Sequence, residues 1–149
     1  MKIRWGREHA AAVDGKLDEG HGSCCLKRAV VREMVVETLK FGDGSRYRLD
    51  AAVVMPNHVH VLFAPMTGGM AEEIQAWKSV SSRRIGKALG VLWPGWQKNY
   101  YDRLIRHQRH FDRVVEYIAE NGPKAKLRAD EYWLFAGGAT PPSRKGGDA

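Results

Sequence analysis

Val54-Met-Pro-Asn-His-Val-His-Val-Leu-Phe63 is the stretch on which the fold turns. Its Pro56-Asn57 pair interrupts a strand ladder and can turn the chain. The pattern therefore predicts two adjacent strands, one over Tyr47 to Met55 and the other over His58 to Phe63. Side chains alternate along a strand, so His58 and His60 share one face while Val59 and Val61 take the other. Two imidazoles one strand repeat apart can hold a metal ion if a third ligand arrives from another element. Spacing alone does not separate such a pair from ordinary strand residues, and the rest of the chain has to decide.

Outward from that hairpin the periodicity changes. From Lys27 to Leu39, Val30, Val31, Met34, Val35 and Leu39 recur at three and four, the mark of an amphipathic helix that Phe41-Gly-Asp-Gly-Ser45 ends. A second helix is expected over Met70 to Leu89, with Ile74, Trp77 and Ile85 on one face and Lys78, Arg83, Arg84 and Lys87 forming a basic surface. Trp93, Trp96, Tyr100 and Tyr101 then sit among Lys98, Arg103 and Arg106. Rings interleaved with cations suit stacking on unpaired bases while the cations hold phosphates, although at least two of these four rings are expected to cover the sheet instead.

The third helix is expected over Gln108 to Asn121, its stripe formed by Phe111, Val114, Val115 and Ile118. Beside the stripe Arg113, Tyr117 and Asn121 share a side, and Gly122-Pro123 is expected to stop the helix there. Met1 to Gly22 shows little pattern, with a short helix expected from His9 to Leu17. Tyr132-Trp-Leu-Phe135 reads as an apolar clasp, and Gly137 to Ala149, rich in Gly, Pro, Ser and charge, as a disordered tail. One domain over residues 1–136 with a tail over 137–149 is the resulting organisation.

Charge sharpens this picture. The formal net charge is +7, and residues 78–128 hold 12 Lys or Arg against 4 Asp or Glu, while residues 1–77 balance at 10 against 10. A basic half joined to a neutral half suggests a polyanionic partner on one face. The two cysteines, Cys24 and Cys25, are adjacent and poorly placed to pair, which suggests thiols in a reducing compartment. The sequence has no apolar run of membrane-spanning length, and a cytoplasmic protein is the expectation.

A phosphodiester is cleaved with help from a divalent cation that draws charge from its oxygens and a nucleophile placed in line. His58, His60 and an amide oxygen such as that of Asn121 form a mixed nitrogen and oxygen site compatible with Mg2+ or Mn2+. Tyr117 lies one helical turn from Asn121 and is a competent covalent nucleophile once deprotonated. A tyrosine beside an apolar stripe is more often a packing residue, so Tyr117 gains meaning only from its company. Tyr47, Tyr100 and Tyr101 lack an amide one turn away on an expected helix.

These phrases resemble the single-tyrosine transposases of the HUH superfamily, specifically the REP-associated tyrosine transposases. The resemblance rests on Val54-Met-Pro-Asn-His-Val-His-Val-Leu62, Trp96-Gln-Lys-Asn-Tyr-Tyr-Asp-Arg-Leu-Ile-Arg106 and Glu116-Tyr-Ile-Ala-Glu-Asn-Gly-Pro-Lys-Ala125, in that order. Weaker similarity runs from Leu17-Asp-Glu-Gly-His-Gly-Ser-Cys24 through the following helix and at Trp77-Lys-Ser79, so that roughly residues 17–136 are covered. It implies an α+β, ferredoxin-like antiparallel sheet with helices on one face. It also implies a divalent metal on His58 and His60, completed by Asn121, and Tyr117 as the nucleophile. Such enzymes cut single-stranded DNA at hairpin elements and rejoin it through a 5′-phosphotyrosine.

Two departures stand out. Relatives begin with a strand of alternating aromatic and β-branched residues, whereas Met1-Lys-Ile-Arg-Trp-Gly-Arg7 is a stub, so the N-terminal strand is expected to be shortened or missing. An edge uncovered in this way would invite a homodimer. The usual Asn-Pro is here Asn121-Gly122-Pro123, which is expected to loosen the helix end. Two other functions fit the same residues. One is a non-catalytic DNA-hairpin-binding protein derived from such a transposase; the other is a phosphodiesterase that uses water, with Tyr117 structural.

Overall fold

The computed structural model describes residues 10–16, 25–90, 93, 95–97 and 101–136, with Tyr101 described by its backbone. The expected hairpin lies at its centre. Strand β2 (Tyr47–Val54) turns through Pro56-Asn57 into β3 (His58–Pro65), and the pair runs antiparallel with Val54 opposite Val59. The Met55 amide closes the turn by donating to the His58 carbonyl at 2.8 Å. A register shift between Leu49 and Ala51 resets the alternation of β2. Tyr47, Leu49, Ala52 and Val54 therefore join one core, and Ala51, Val53 and Met55 join another. The unbroken Ala-Ala-Val-Val-Met run suits a strand buried on both faces.

The N-terminal strand is present. Ala11–Lys16 forms β1 where a short helix was expected, and the stub Met1–Arg7 lies outside the described residues. Ala-Ala-Val-Asp-Gly-Lys has little intrinsic strand preference; pairing on both sides holds it extended. It runs antiparallel to β3, from Ala11 opposite Phe63 to Lys16 opposite His58, and to β4 (Tyr101–Leu104), from Ala11 opposite Leu104 to Asp14 opposite Tyr101. Strand β1 is thus interior, so the uncovered edge that would have favoured a homodimer does not arise there. The apolar clasp is also a strand, β5 (Trp133–Ala136), paired antiparallel with β2. The sheet order is β4-β1-β3-β2-β5.

Helices α1 (Ala29–Phe41) and α2 (Met70–Leu89) follow from their three-and-four stripes. Their Val31, Val35, Leu39, Ile74 and Ile85 cover one face of the sheet. The α+β class with an antiparallel sheet holds, and these two helices meet the expectation of helices on one face. Helix α3 (Gln108–Lys124) lies against the other face, because Ala51, Val53 and Leu62 form a second apolar surface that Phe111, Val114 and Ile118 bury. Among the described residues no helix is long and apolar enough to cross a membrane.

Helix α3 does not stop at Asn121. It continues through Pro123 to Lys124, and Lys126 then takes a left-handed conformation (φ 58°). A proline is tolerated here because only one internal bond is lost near the end, while Ala125 donates back to Asn121 and Leu127 to Gly122. The glycine serves space rather than termination. A Cβ on Gly122 would lie 2.1–2.4 Å from atoms of the Tyr132 ring. Gly122→Ala should therefore destabilise the protein by roughly 1–3 kcal/mol in urea unfolding, the usual cost of overpacking. A Tyr132→Ala background should remove most of that penalty, and equal losses in both backgrounds would show that Tyr132 is not the cause.

Candidate active site

Strand β3 places His58 and His60 on the α3 side of the sheet, with ring centroids 4.7 Å apart. His60 is buried and His58 half-buried. Asn57 Oδ1 lies 2.7 Å from His58 Nδ1, while Asn121 Oδ1 lies 3.4 Å from His58 Nε2. The shorter contact assigns the ring proton to Nδ1, which donates to Asn57. The Nε2 lone pair then faces the Asn121 oxygen. That amide is oriented by its own nitrogen, which donates to the Tyr117 carbonyl at 3.3 Å. Burial, then the neighbouring His60, lowers the His58 pKa from its ordinary value, and Asn121 pulls it back only partly. A neutral imidazole with a free Nε2 is what a metal ligand requires.

His60 Nδ1 is hydrogen-bonded to Asp14 on β1, which turns Nε2 away from that carboxylate. Tyr117 stands edge-on to His60 with centroids 5.4 Å apart, and it is 50% exposed. The donor chemistry fits a divalent cation: two imidazole nitrogens and an amide oxygen, with His58 Nε2 and Asn121 Oδ1 3.4 Å apart. Among the described residues no three His, Cys, Asp or Glu side chains cluster as a metal site; the Asn121 amide is a neutral oxygen donor standing beside His58.

A cavity of about 110 Å3 opens beside the nucleophile candidate, lined by Asp14, His60, Arg103, Val114, Tyr117 and Ile118 among others. Arg103 and Arg106 are exposed on and just after β4, and Arg113 is exposed on α3. The pKa of His110 is lowered by burial and then by Arg103, Arg113, His107 and Arg106, so these cations share one positive surface at the start of α3.

The other basic candidates lie elsewhere. Lys78, Arg83, Arg84 and Lys87 are on α2, across the sheet from Tyr117. Lys78 is half-buried and donates to the Gln97 carbonyl at 2.7 Å; Arg84 pairs with Glu37 at 2.6 Å. The concentrated charge of residues 78–128 is therefore divided between two faces. Trp96 is committed to packing: its ring meets Trp93 edge-on, and its indole nitrogen donates to Ser81 at 2.9 Å. These two tryptophans are rings that cover the sheet. Lys98, Tyr100 and the Tyr101 side chain lie outside the described residues.

Tyr47 is buried under α1 and α2. It donates to the Leu39 carbonyl and accepts from Trp77, and burial raises its pKa. Asp14 was the residue missed by reading the sequence. A lone carboxylate in an unpatterned segment gives no signal until β1 is paired with β3.

In this ferredoxin-like sheet order the His-x-His strand β3 faces the Tyr-x-x-x-Asn stretch of α3. Residues 26–121 match the family described as Transposase IS200 like, and the chain belongs to that family, within the single-tyrosine HUH transposase superfamily. Family membership carries a general DNA-nicking transposase function based on tyrosine and a general requirement for a divalent metal ion. The fold is similar to that of a REP-associated tyrosine transposase bound to a REP hairpin, with TM-score 0.61 and 19% identity over 86% of this chain and 75% of that one. It is also similar to a Deinococcus radiodurans R1 protein designated a transposase, with TM-score 0.53 and 18% identity over 87% of this chain and 99% of that one. No curated protein matches by sequence.

Proposed function

We propose that this protein nicks and rejoins single-stranded DNA at hairpin elements, with Tyr117 as nucleophile and a divalent metal held by His58, His60 and Asn121. The observation that carries the reading is the grouping of these four side chains where β3 meets α3. A bound Mg2+ or Mn2+ would supply positive charge to the scissile phosphate. The protein's own residues do the rest. Asn57 holds the His58 imidazole with its Nδ1 engaged and its Nε2 toward Asn121. The Tyr117 phenol loses its proton to solvent and its oxygen bonds to phosphorus as the P–O3′ bond breaks. The departing O3′ takes up a proton, leaving a 3′-hydroxyl and a 5′-phosphotyrosine. Rejoining reverses these steps.

Incubation with hairpin-bearing single-stranded DNA and Mn2+, followed by a denaturing gel, tests this. A slower protein band carrying DNA is the expected result. Binding without product would make the chain a hairpin-binding relative, and cut DNA without an adduct would make water the nucleophile.

The surface of Arg103, Arg106 and Arg113 would track the DNA backbone beside Tyr117. Hairpin affinity should fall as salt rises, since each neutralised phosphate releases condensed counterions. Arg113→Ala should make the slope of log affinity against log salt shallower by roughly 0.7 to 0.9. Lys87→Ala, across the sheet, should leave that slope unchanged. An equal change in both would place the DNA path over both faces.

A further inference from the structure

Asp14 lies on β1, a strand that the sequence pattern failed to reveal, and the sheet register sets it directly opposite His60. Its carboxylate hydrogen-bonds His60 Nδ1 and is 43% exposed, whereas the His60 side chain is 10% exposed. The imidazole is thus held from behind by an anion on a neighbouring strand, with its other nitrogen turned away from that anion. His58 is held differently, by the neutral amide of the adjacent Asn57. A charged acceptor on Nδ1–H fixes the tautomer, restricts ring rotation and makes Nε2 a stronger electron-pair donor. With two imidazoles and an amide as donors, Asp14 is also the carboxylate that contacts this group directly.

We propose that Asp14 is the positioning residue of the metal site, setting His60 in its ligating tautomer and raising its affinity for a divalent cation. The inference rests on the metal reading of His58 and His60 given above.

Mn2+ binding to the full chain without DNA, followed by calorimetry, tests it on the parent and on the Asp14→Ala, Asp14→Asn and His58→Ala proteins. Asp14→Ala should weaken Mn2+ roughly 10- to 100-fold, the usual effect of removing the partner of a ligating histidine. Asp14→Asn keeps an acceptor for Nδ1–H without the charge and should fall between; it also serves if the alanine protein does not fold. The imidazole 15N shifts of metal-free protein give a second readout. His60 should be protonated at Nδ1 in the parent and a mixture of tautomers in Asp14→Ala.

Parent-like Mn2+ affinity in both Asp14 variants, with binding lost in His58→Ala, would overturn the role of Asp14 alone. Parent-like affinity in every variant would overturn the metal reading beneath it. If both Asp14 variants lost Mn2+ equally while the His60 tautomer stayed unchanged, Asp14 would be a direct ligand and the positioning role would be wrong.

Discussion

Tyr117→Phe should abolish the covalent DNA–protein product completely while leaving the folded protein and its hairpin affinity intact. The substitution removes one oxygen and keeps the ring. That ring is half-exposed and meets His60 edge-on, a contact phenylalanine reproduces. A surface change of this kind shifts stability by no more than about 0.5 kcal/mol. The loss of chemistry is absolute, because no bond to phosphorus can form without the phenol oxygen.

Among the other tyrosines, Tyr47 is excluded by position, buried under α1 and α2 with its hydroxyl engaged by Leu39 and Trp77. Tyr132 is committed to the space over Gly122. Mass mapping of the trapped adduct from the parent protein should therefore find DNA on Tyr117. An adduct on Tyr100 or Tyr101, or an undiminished adduct in the phenylalanine protein, would show that the nucleophile has been misassigned.

What was legible in the sequence was what neighbours in the chain decide. The Pro56-Asn57 turn, the shared face of His58 and His60, and the stripe of α3 follow from periods of 2 and 3.6 within short windows. These local rules also set Tyr117 and Asn121 one turn apart. What was not legible depends on pairing between distant segments. Ala11–Lys16 becomes a strand because β3 and β4 flank it, and its own residues do not announce this. Tyr132–Phe135 reads as a clasp until the edge of β2 receives it. The purpose of Gly122 is visible only once Tyr132 lies on it, and Asp14 acquires a role only when the register sets it across from His60. Helix α3 lies on the far face because β2 buries both of its sides, which the Val-Val-Met run hints at but the register shift near Asp50 makes possible.

The second large effect is expected at the histidines, and it should look different from the loss of Tyr117. His58→Ala and His60→Ala should each reduce strand cleavage by at least the order of 10²–10³-fold, the cost of losing one preorganised electrostatic stabiliser. The double variant should be little worse than either single one, because two ligands that hold one cation act as a unit. The two positions should differ in stability. His60 is buried, so truncation leaves a cavity at a cost of about 1–3 kcal/mol, while the part-exposed Asp14 carboxylate can turn to water. His58 is half-buried, and its partners Asn57 and Asn121 stand nearer to solvent, so His58→Ala should unfold close to the parent midpoint.

His58→Ala is therefore the cleaner test of chemistry. It should bind hairpin DNA in metal-free buffer as the parent does, bind Mn2+ weakly or not at all, and form no adduct at any Mn2+ concentration the parent uses. Parent-like adduct formation by a folded His58→Ala protein would remove His58 from the reaction and leave Tyr117 to act without it.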